Sequence, residues 1–139
     1  MSPADGILAI LVDAGIVSTG WVGRVGALHT QANQDQSIAV LDTGGRGAEV
    51  KVAIDYPTVQ VLIRGSKAAG GYSAGYAKAE AVLAALQGID QNPSAYPNLV
   101  SCVVRGGITG IGRDENDRPL FSLNFNLITN PSDAGFRTY

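Results

Sequence analysis

Residues 56–88 read YPTVQVLIRGSKAAGGYSAGYAKAEAVLAALQG, and this stretch decides the fold. Its first part alternates apolar and polar side chains, with the apolar ones at Val59, Val61 and Ile63. This period of two is typical of a half-buried β-strand. After the glycine-rich residues 65–71, Ser73 is placed to cap a helix and Gly88 to end it. The helix has an apolar face, formed by Ala79, Val82, Leu83 and Leu86. The stretch therefore predicts a strand, a loop and a helix whose apolar faces pack together.

The composition predicts one domain with an unusually neutral surface. The chain has 139 residues, 45% of them hydrophobic and 16% charged, whereas an average soluble domain has ~25% charged residues. We therefore expect a single domain over residues 1–139, which is either a subunit that buries surface in an assembly or a small monomer. The net charge is −2 and the basic residues are scattered, which does not favour sequence-specific nucleic-acid binding.

The cysteine content and the hydrophobic runs do not favour a disulfide-containing, membrane or secreted protein. Cys102 is the only cysteine, so the chain forms no intrachain disulfide and no cysteine metal cluster. The apolar run at residues 7–12 is too short to span a bilayer. It also lacks a basic flank, so we predict neither a membrane segment nor a signal peptide.

A short helix is predicted near the start of the chain. Ser2 is suited to the cap, Pro3 to the first turn and Asp5 to the positive end of the helix dipole. The helix has an apolar stripe, formed by Ile7, Leu8, Leu11 and Val12, and Gly15 is placed to end it. Residues 20–28 predict a strand or an irregular extended segment, in which Trp21 is a partly buried anchor.

Two more extended segments precede the central stretch. Residues 37–42 predict a short apolar strand, and residues 49–55 predict another strand or an extended arm. Between them, residues 43–47 read TGGRG. This sequence lacks the Gly-Lys-Ser/Thr of a phosphate-binding loop and does not lead into a helix, so it predicts a flexible hairpin-like connection.

The last third of the chain predicts an antiparallel hairpin. Residues 98–105 form a strand with Cys102 on its core face, and the glycines of residues 106–112 indicate a bulge or bend. Residues 114–117 are acidic but lack the pattern of a calcium-binding loop, so they predict the turn. Residues 120–128 alternate as a strand that pairs with residues 98–112. An extended tail is predicted over residues 129–139.

Together these elements predict an α+β fold, with a mainly antiparallel β-sheet and two α-helices packed on one of its faces. The other face of the sheet carries side chains that are polar and mostly uncharged, namely Gln60, Arg64, Ser122, Asn124 and Asn126. Either water or a partner subunit can cover such a face.

No catalytic constellation is evident, and we expect no catalytic residue, no cofactor and no metal. Cys102 has no histidine near it in sequence, and His29 would have to reach it through the fold. A rival hypothesis is a ligand-binding or enzymatic site that uses Arg46, His29 or Arg105 beside a glycine-rich loop. That hypothesis predicts a concave pocket with converging polar groups.

The central stretch and the closing strand resemble the tail terminator and neck proteins of long-tailed bacteriophages, which are also described as minor capsid or tail completion proteins. The resemblance rests on YPTVQVLIRG at residues 56–65, on YAKA and LQG at residues 76–79 and 86–88, and on RPLFSLNF at residues 118–125. It covers residues 38–128.

The resemblance implies a structural role without chemistry. Such proteins form a ring, usually a hexamer, at the head-proximal end of the tail tube, where they stop tube polymerisation and join the tail to the head. The implied partners are further copies of the chain, the tail tube protein and the head–tail connector protein, and DNA can pass through the ring. No membrane is involved. The implied location is the virion, after synthesis in the cytoplasm of the host bacterium.

We predict that loops make these contacts, because mobile loops can become ordered on binding. The candidate segments are residues 42–47, 65–71 and 113–118. The candidate interface residues are Asp42, Gly44, Arg46, Gly47, Arg64, Lys67, Arg113, Asp114, Glu115 and Asp117. Three alternatives stay open: a head completion or tail tube protein, a non-viral oligomeric module, and the small ligand-binding or enzymatic domain described above.

Overall fold

The computed structural model describes residues 2–28, 35–46, 54–90 and 93–130. In this part of the chain there are two α-helices, α1 (Pro3–Asp13) and α2 (Gly71–Leu86). The strands are β1 (Val22–Val25), β2 (Ser37–Arg46), β3 (Tyr56–Arg64), β4 (Leu99–Val104), β5 (Thr109–Arg113) and β6 (Pro119–Thr129). Of the strand or arm predicted over residues 49–55, residues 49–53 lie outside the described residues, as do residues 131–139 of the tail predicted over residues 129–139. Thr129, the first residue of the predicted tail, is instead the last residue of β6.

The described strands form one sheet in the order β1-β2-β3-β6-β4, with β5 also paired to β6. β1 and β2 are parallel, and the other neighbours are antiparallel. β4 pairs with the second half of β6 and β5 with its first half, so both lie along the edge of β6 that faces away from β3. The prediction of an α+β fold with a mainly antiparallel sheet is confirmed.

The centre of the core lies on β3 and β6. Val61 is opposite Leu123 and Ile63 is opposite Phe121, and all four side chains are fully buried. Each stabilises the fold by about 2 kcal/mol relative to an exposed side chain. The alternation predicted for both strands is confirmed, and Cys102 is a core residue on β4.

Both helices pack on this apolar face of the sheet, as predicted. α1 covers β1 and β2, whereas α2 covers β6 and reaches β3 and β4. α1 begins with a capping box in which the Asp5 N–H donates to the Ser2 hydroxyl and the Ser2 N–H donates to the Asp5 carboxylate. The Ala4 N–H donates to the Asp42 carboxylate at 2.8 Å, which ties the first turn of α1 to β2.

Trp21 is a partly buried anchor, as predicted. Its ring lies 5.1 Å from the ammonium of Lys78 on α2, a separation at which a cation is attracted to an aromatic face. The same ammonium donates to the carbonyl of Ile16 at 3.3 Å. Trp21 and Lys78 therefore join the segment between α1 and β1 to the middle of α2.

Two details of the helices differ from the prediction. Val12 is 53% exposed, and Ile10 takes its place in the core. α2 begins at Gly71 and not after Ser73, and its cap residue is Gly70 in the left-handed conformation with φ 83°. The earlier start is possible because glycine adopts this conformation easily and because Gly71 packs against the backbone of Ser66. A Cβ at position 71 would overlap that backbone.

Residues 43–47 were predicted as a hairpin-like connection, but residues 43–46 are part of β2. Pairing with β3 shifts register between Asp42 and Gly45, where Gly44 and Gly45 have φ of 92° and 107°. Such a β-bulge absorbs the extra residues without ending the strand. The bulge or bend predicted within residues 106–112 is confirmed, because the pairing of β5 with β6 shifts register between Gly110 and Arg113. The turn predicted at residues 114–117 is also confirmed, because the Asp117 N–H donates to the Asp114 carbonyl at 3.0 Å.

Candidate assembly interface

The candidate interface residues separate to two opposite ends of the sheet. Those before β3 lie near Tyr56, at the "Tyr56 end": Asp42, Gly44 and Arg46. The others lie where β3 ends and β6 begins, at the "Arg64 end": Arg64, Lys67, Arg113, Asp114, Glu115 and Asp117. Gly47 lies outside the described residues. Tyr56 and Arg64 are eight residues apart on one strand, which corresponds to roughly 26 Å.

At the Arg64 end, Asp114 holds the turn that joins β5 to β6. One carboxylate oxygen accepts from the backbone N–H groups of Asn116 and Arg118, at 2.9 and 3.0 Å. The other accepts from Nε of Arg118 at 2.8 Å. Burial alone would raise the pKa of Asp114, but the hydrogen bonds from Arg118 and Asn116 hold it below its usual value. Asp114 therefore has a structural role, because its hydrogen bonds hold the turn together.

A second set of contacts links this turn to the start of β2. Arg118 lies 3.6 Å from the Asp35 carboxylate, and Nε of Arg64 donates to the Asp35 carbonyl at 2.7 Å. Arg64 is only 4% exposed, and burial lowers the pKa of its guanidinium, with a further contribution from Arg118. Arg64 is therefore a structural residue on the helix-free face of the sheet and not part of a surface loop.

Four candidates at the Arg64 end remain on the surface: Lys67, Arg113, Glu115 and Asp117. Arg113 donates to the Asp117 carbonyl at 2.9 Å and lies 3.8 Å from its carboxylate. Such an exposed ion pair is weak. Lys67 precedes α2, and Glu115 is at the tip of the turn. The Arg64 end thus presents charges of both signs to a partner.

The Tyr56 end is less charged. Asp42 is engaged with α1, and the backbone of Arg46 pairs with Tyr56. Beside them is an open groove of about 600 Å³, lined mainly by Thr43, Tyr56, Thr58, Arg105 and Asn126. The hydroxyls of Thr43 and Thr58 are 2.7 Å apart. The groove offers hydroxyl, amide and guanidinium groups on the helix-free face of the sheet.

The rival enzymatic hypothesis predicts a concave pocket, and Arg105 does line the groove at the Tyr56 end, whereas Cys102 does not. Cys102 is 1% exposed, and burial raises the pKa of its thiol to about 12. A buried, protonated thiol is a poor nucleophile. His29 lies outside the described residues. Among the described residues, no group of three or more His, Cys, Asp or Glu side chains is arranged to hold a metal ion.

Neither of the helices in the described ranges is long and apolar enough to cross a membrane.

Comparison with protein families identifies the family of this chain. Residues 10–131 match the model of the family described as bacteriophage tail terminator protein. The chain belongs to the bacteriophage tail terminator family. The match includes the last turn of α1, the whole of α2 and all six strands of the described sheet. No curated protein is similar enough in sequence to be counted as a relative.

Membership makes this chain a structural protein of the phage tail. In a tail terminator, function depends on surfaces that contact other subunits, so exposed apolar side chains become informative. Two such side chains, both on α2, were not among the predicted interface residues: Tyr72 is 52% exposed and Tyr76 is 41% exposed. Periodicity did not reveal this exposure, because Tyr72 lies seven residues before Ala79 and Tyr76 seven before Leu83, on the same face of α2 that was predicted to be buried.

Proposed function

We propose that this chain is the terminator of its tail, forming a ring at the head-proximal end of the tail tube. The ring, a hexamer in this proposal, stops tube polymerisation and joins the tail to the head. The observation that carries the proposal is the family match over residues 10–131. The chain is made in the host cytoplasm and becomes part of the virion at the neck.

The two ends of the sheet are suited to the two partners that a terminator requires. A stack of tube rings stops growing only when its last ring is covered by a subunit that cannot accept another ring. The Arg64 end presents exposed charges, including Lys67 and Glu115, whereas the Tyr56 end presents the groove lined by threonines and Asn126. Because the ends differ chemically, a tube ring that binds one end meets an unlike surface at the other.

A ring in this position surrounds the path of the DNA. Only 16% of the residues are charged and the net charge is −2. A low density of basic groups lets DNA pass without tight binding, because tight nucleic-acid binding needs clustered Lys and Arg. The partners are therefore further copies of the chain, the tube protein and the head–tail connector protein, with no cofactor.

Deletion of the gene tests the proposal. We expect filled heads without attached tails, together with free tails of abnormal length, in electron micrographs of lysates. Supplying the protein from a plasmid should restore tail length and joining. Tails of normal length joined to heads in the deletion would exclude the terminator role and leave the fold and the family intact.

Charge reversal at each end of the sheet tests which end contacts the tube and which contacts the head. Arg46→Glu changes the Tyr56 end and Glu115→Lys changes the Arg64 end, with Glu115→Gln as the matched control that keeps side-chain size. The variant at the tube-facing end should give abnormal tail lengths. The variant at the head-facing end should give free tails of normal length. If neither variant changed length or joining, the assignment of the strand ends as docking surfaces would be wrong.

A further inference from the structure

Tyr72 and Tyr76 form an exposed aromatic surface on α2, which we call the α2 patch. Both rings meet Phe121 of β6 edge-on, with centroids 5.0 and 5.9 Å away. The hydroxyl of Tyr72 lies 3.5 Å from the position that a Cβ of Gly110 would occupy, so Tyr72 extends over β5. Large aromatic side chains held in place by the core but open to solvent are typical anchors of protein interfaces.

The border of the α2 patch is electropositive. Lys67 and Arg113 are exposed, and their segments both adjoin Pro119. Arg113 is opposite Pro119 in the sheet, and the N–H of Gly65, two residues before Lys67, donates to the Pro119 carbonyl at 2.8 Å. The first turn of α2 has no side-chain cap and no acidic residue, so the positive end of its dipole is not neutralised there. Two acidic groups temper this charge: Asp117 beside Arg113, and Glu80 one turn after Tyr76.

A complementary surface lies on α1, which we call the α1 groove. It is shallow, with a volume of about 380 Å³, and is lined by Leu8, Ala9, Val12 and Ala95 between the acidic side chains of Asp5 and Asp13. Val12 is 53% exposed. The last turn of α1 contains no basic residue, so Asp13 adds to the negative end of the helix dipole. The α1 groove is thus apolar with an acidic border.

The two surfaces lie at opposite edges of the sheet. Leu8 lies over β1, where its Cδ1 is 2.9 Å from the position of a Cβ on Gly23, and Tyr72 lies over β5. β1 and β5 are four strand positions apart in the sheet order, or roughly 19 Å. The α2 patch and the α1 groove of one chain therefore cannot meet, but those of two copies can.

We propose that the α2 patch of one copy docks in the α1 groove of the next copy around the terminator ring. This inference rests on the ring of the proposed function and names its contact. A contact between two different surfaces is heterologous, and it closes into a ring when the rotation permits. The apolar parts meet, and Lys67 and Arg113 approach Asp13. This contact uses Lys67 and Arg113 of the Arg64 end and leaves Glu115 and the Tyr56 end open to the tube and the head.

Cross-linking in assembled tails tests the contact. Residue 102 carries the chain's only cysteine, and it is buried, so introduced cysteines react over a low background. A chain with both Val12→Cys and Tyr72→Cys should give a ladder of covalent oligomers up to the ring with a short bismaleimide. The matched control combines Val12→Cys with Val103→Cys, because Val103 is 47% exposed on β4 but outside both surfaces. The control should give no ladder.

Mixing two defective variants tests the direction of the contact in solution. Tyr72→Ala should remove an aromatic anchor of the contact, and Val12→Lys should repel Lys67 and Arg113; each should weaken self-association at least about tenfold. Mixed together, they should form a dimer and nothing larger, because each supplies the surface that the other has lost. Sedimentation velocity measures these species.

The outcomes separate this inference from the proposed function. If the 12/72 chain builds working tails that give no ladder, the contact is wrong while the terminator role stands. If two Tyr72→Cys chains without a cysteine at position 12 cross-link to each other, the contact is between two α2 patches and the inference is overturned. Tails of normal length joined to heads after gene deletion would instead contradict the proposed function itself.

Discussion

The carboxylate of Asp114 lies 2.8 Å from Nε of Arg118, across the turn between β5 and β6. The same carboxylate accepts two backbone N–H groups of the turn. The acidic sequence 114–117 therefore contains two kinds of residue, because Asp114 holds the turn and Glu115 is displayed by it. Charge changes at these neighbouring positions should have different consequences.

We predict that Asp114→Ala lowers the free energy of unfolding by about 1–2 kcal/mol, because it removes charge-assisted hydrogen bonds that are partly shielded from water. Glu115→Ala, the matched control, should change stability by less than about 0.5 kcal/mol. Urea unfolding followed by circular dichroism measures both. Equal effects of the two substitutions would show that Asp114 does not hold the turn.

The stability of the protein should depend on pH through Asp114. Its pKa in the folded chain is lowered, so its contribution is fully present above the pKa of the unfolded carboxyl, about 3.9, and is lost as the pH falls through the folded value. The difference in stability between the wild type and Asp114→Asn should shrink as the pH falls below about 5. Hydrogen bonds from Ser2 also lower the pKa of Asp5. Asp5 is present in both proteins, so its contribution to the pH dependence cancels in the difference. A difference that is constant with pH would contradict the prediction.

Gly75→Ala should destabilise the protein although alanine favours helices. A methyl group on Gly75 would lie 2.7 Å from Cε2 of Phe121, whose ring is fully buried. Overpacking costs ~1–3 kcal/mol, which exceeds the gain of ~1 kcal/mol in helix propensity. Gly107→Ala is the control, because nothing lies within 4 Å of its added methyl. Thermal unfolding compares the Tm of both variants with that of the wild type. A higher Tm for Gly75→Ala would contradict the prediction and would mean that the Phe121 ring moves aside with little loss of packing.

Val61→Asp should prevent folding. Val61 is fully buried between Val40 and Leu123, and an unpaired buried carboxylate costs several kcal/mol against a total stability of ~5–15 kcal/mol. Asn126→Asp, on the exposed face of β6, should leave the fold intact. Circular dichroism and one-dimensional NMR compare the two variants. A folded Val61→Asp protein would contradict the strand register.

The sequence predicted the parts of the fold that depend on local patterns. The alternation at Val59, Val61 and Ile63 identified the buried face of β3 because side chains in a strand point to alternate faces. The start of α1 followed from Ser2 and Asp5, which bond to each other within one turn. The turn at Asp114 was likewise predicted because its hydrogen bonds close within four residues.

The sequence did not predict features that depend on distant residues. Arg64 is buried because Asp35 and the region of Arg118 approach it through the fold. Asp42 binds the first turn of α1, which is 38 residues away in sequence. The exposure of Val12 depends on how α1 is rotated over β1 and β2, which its own periodicity does not determine. The α2 patch and the α1 groove are visible only once the strand order separates them.

β6 lies after every other strand of the described sheet in the chain, yet it is an interior strand that pairs with β3, β4 and β5. During synthesis, β3 and α2 leave the ribosome long before the strand that completes their core. Pairings between distant segments form slowly, because the intervening chain must be closed first. β3 and the two helices therefore lack their complete core until β6 has left the ribosome.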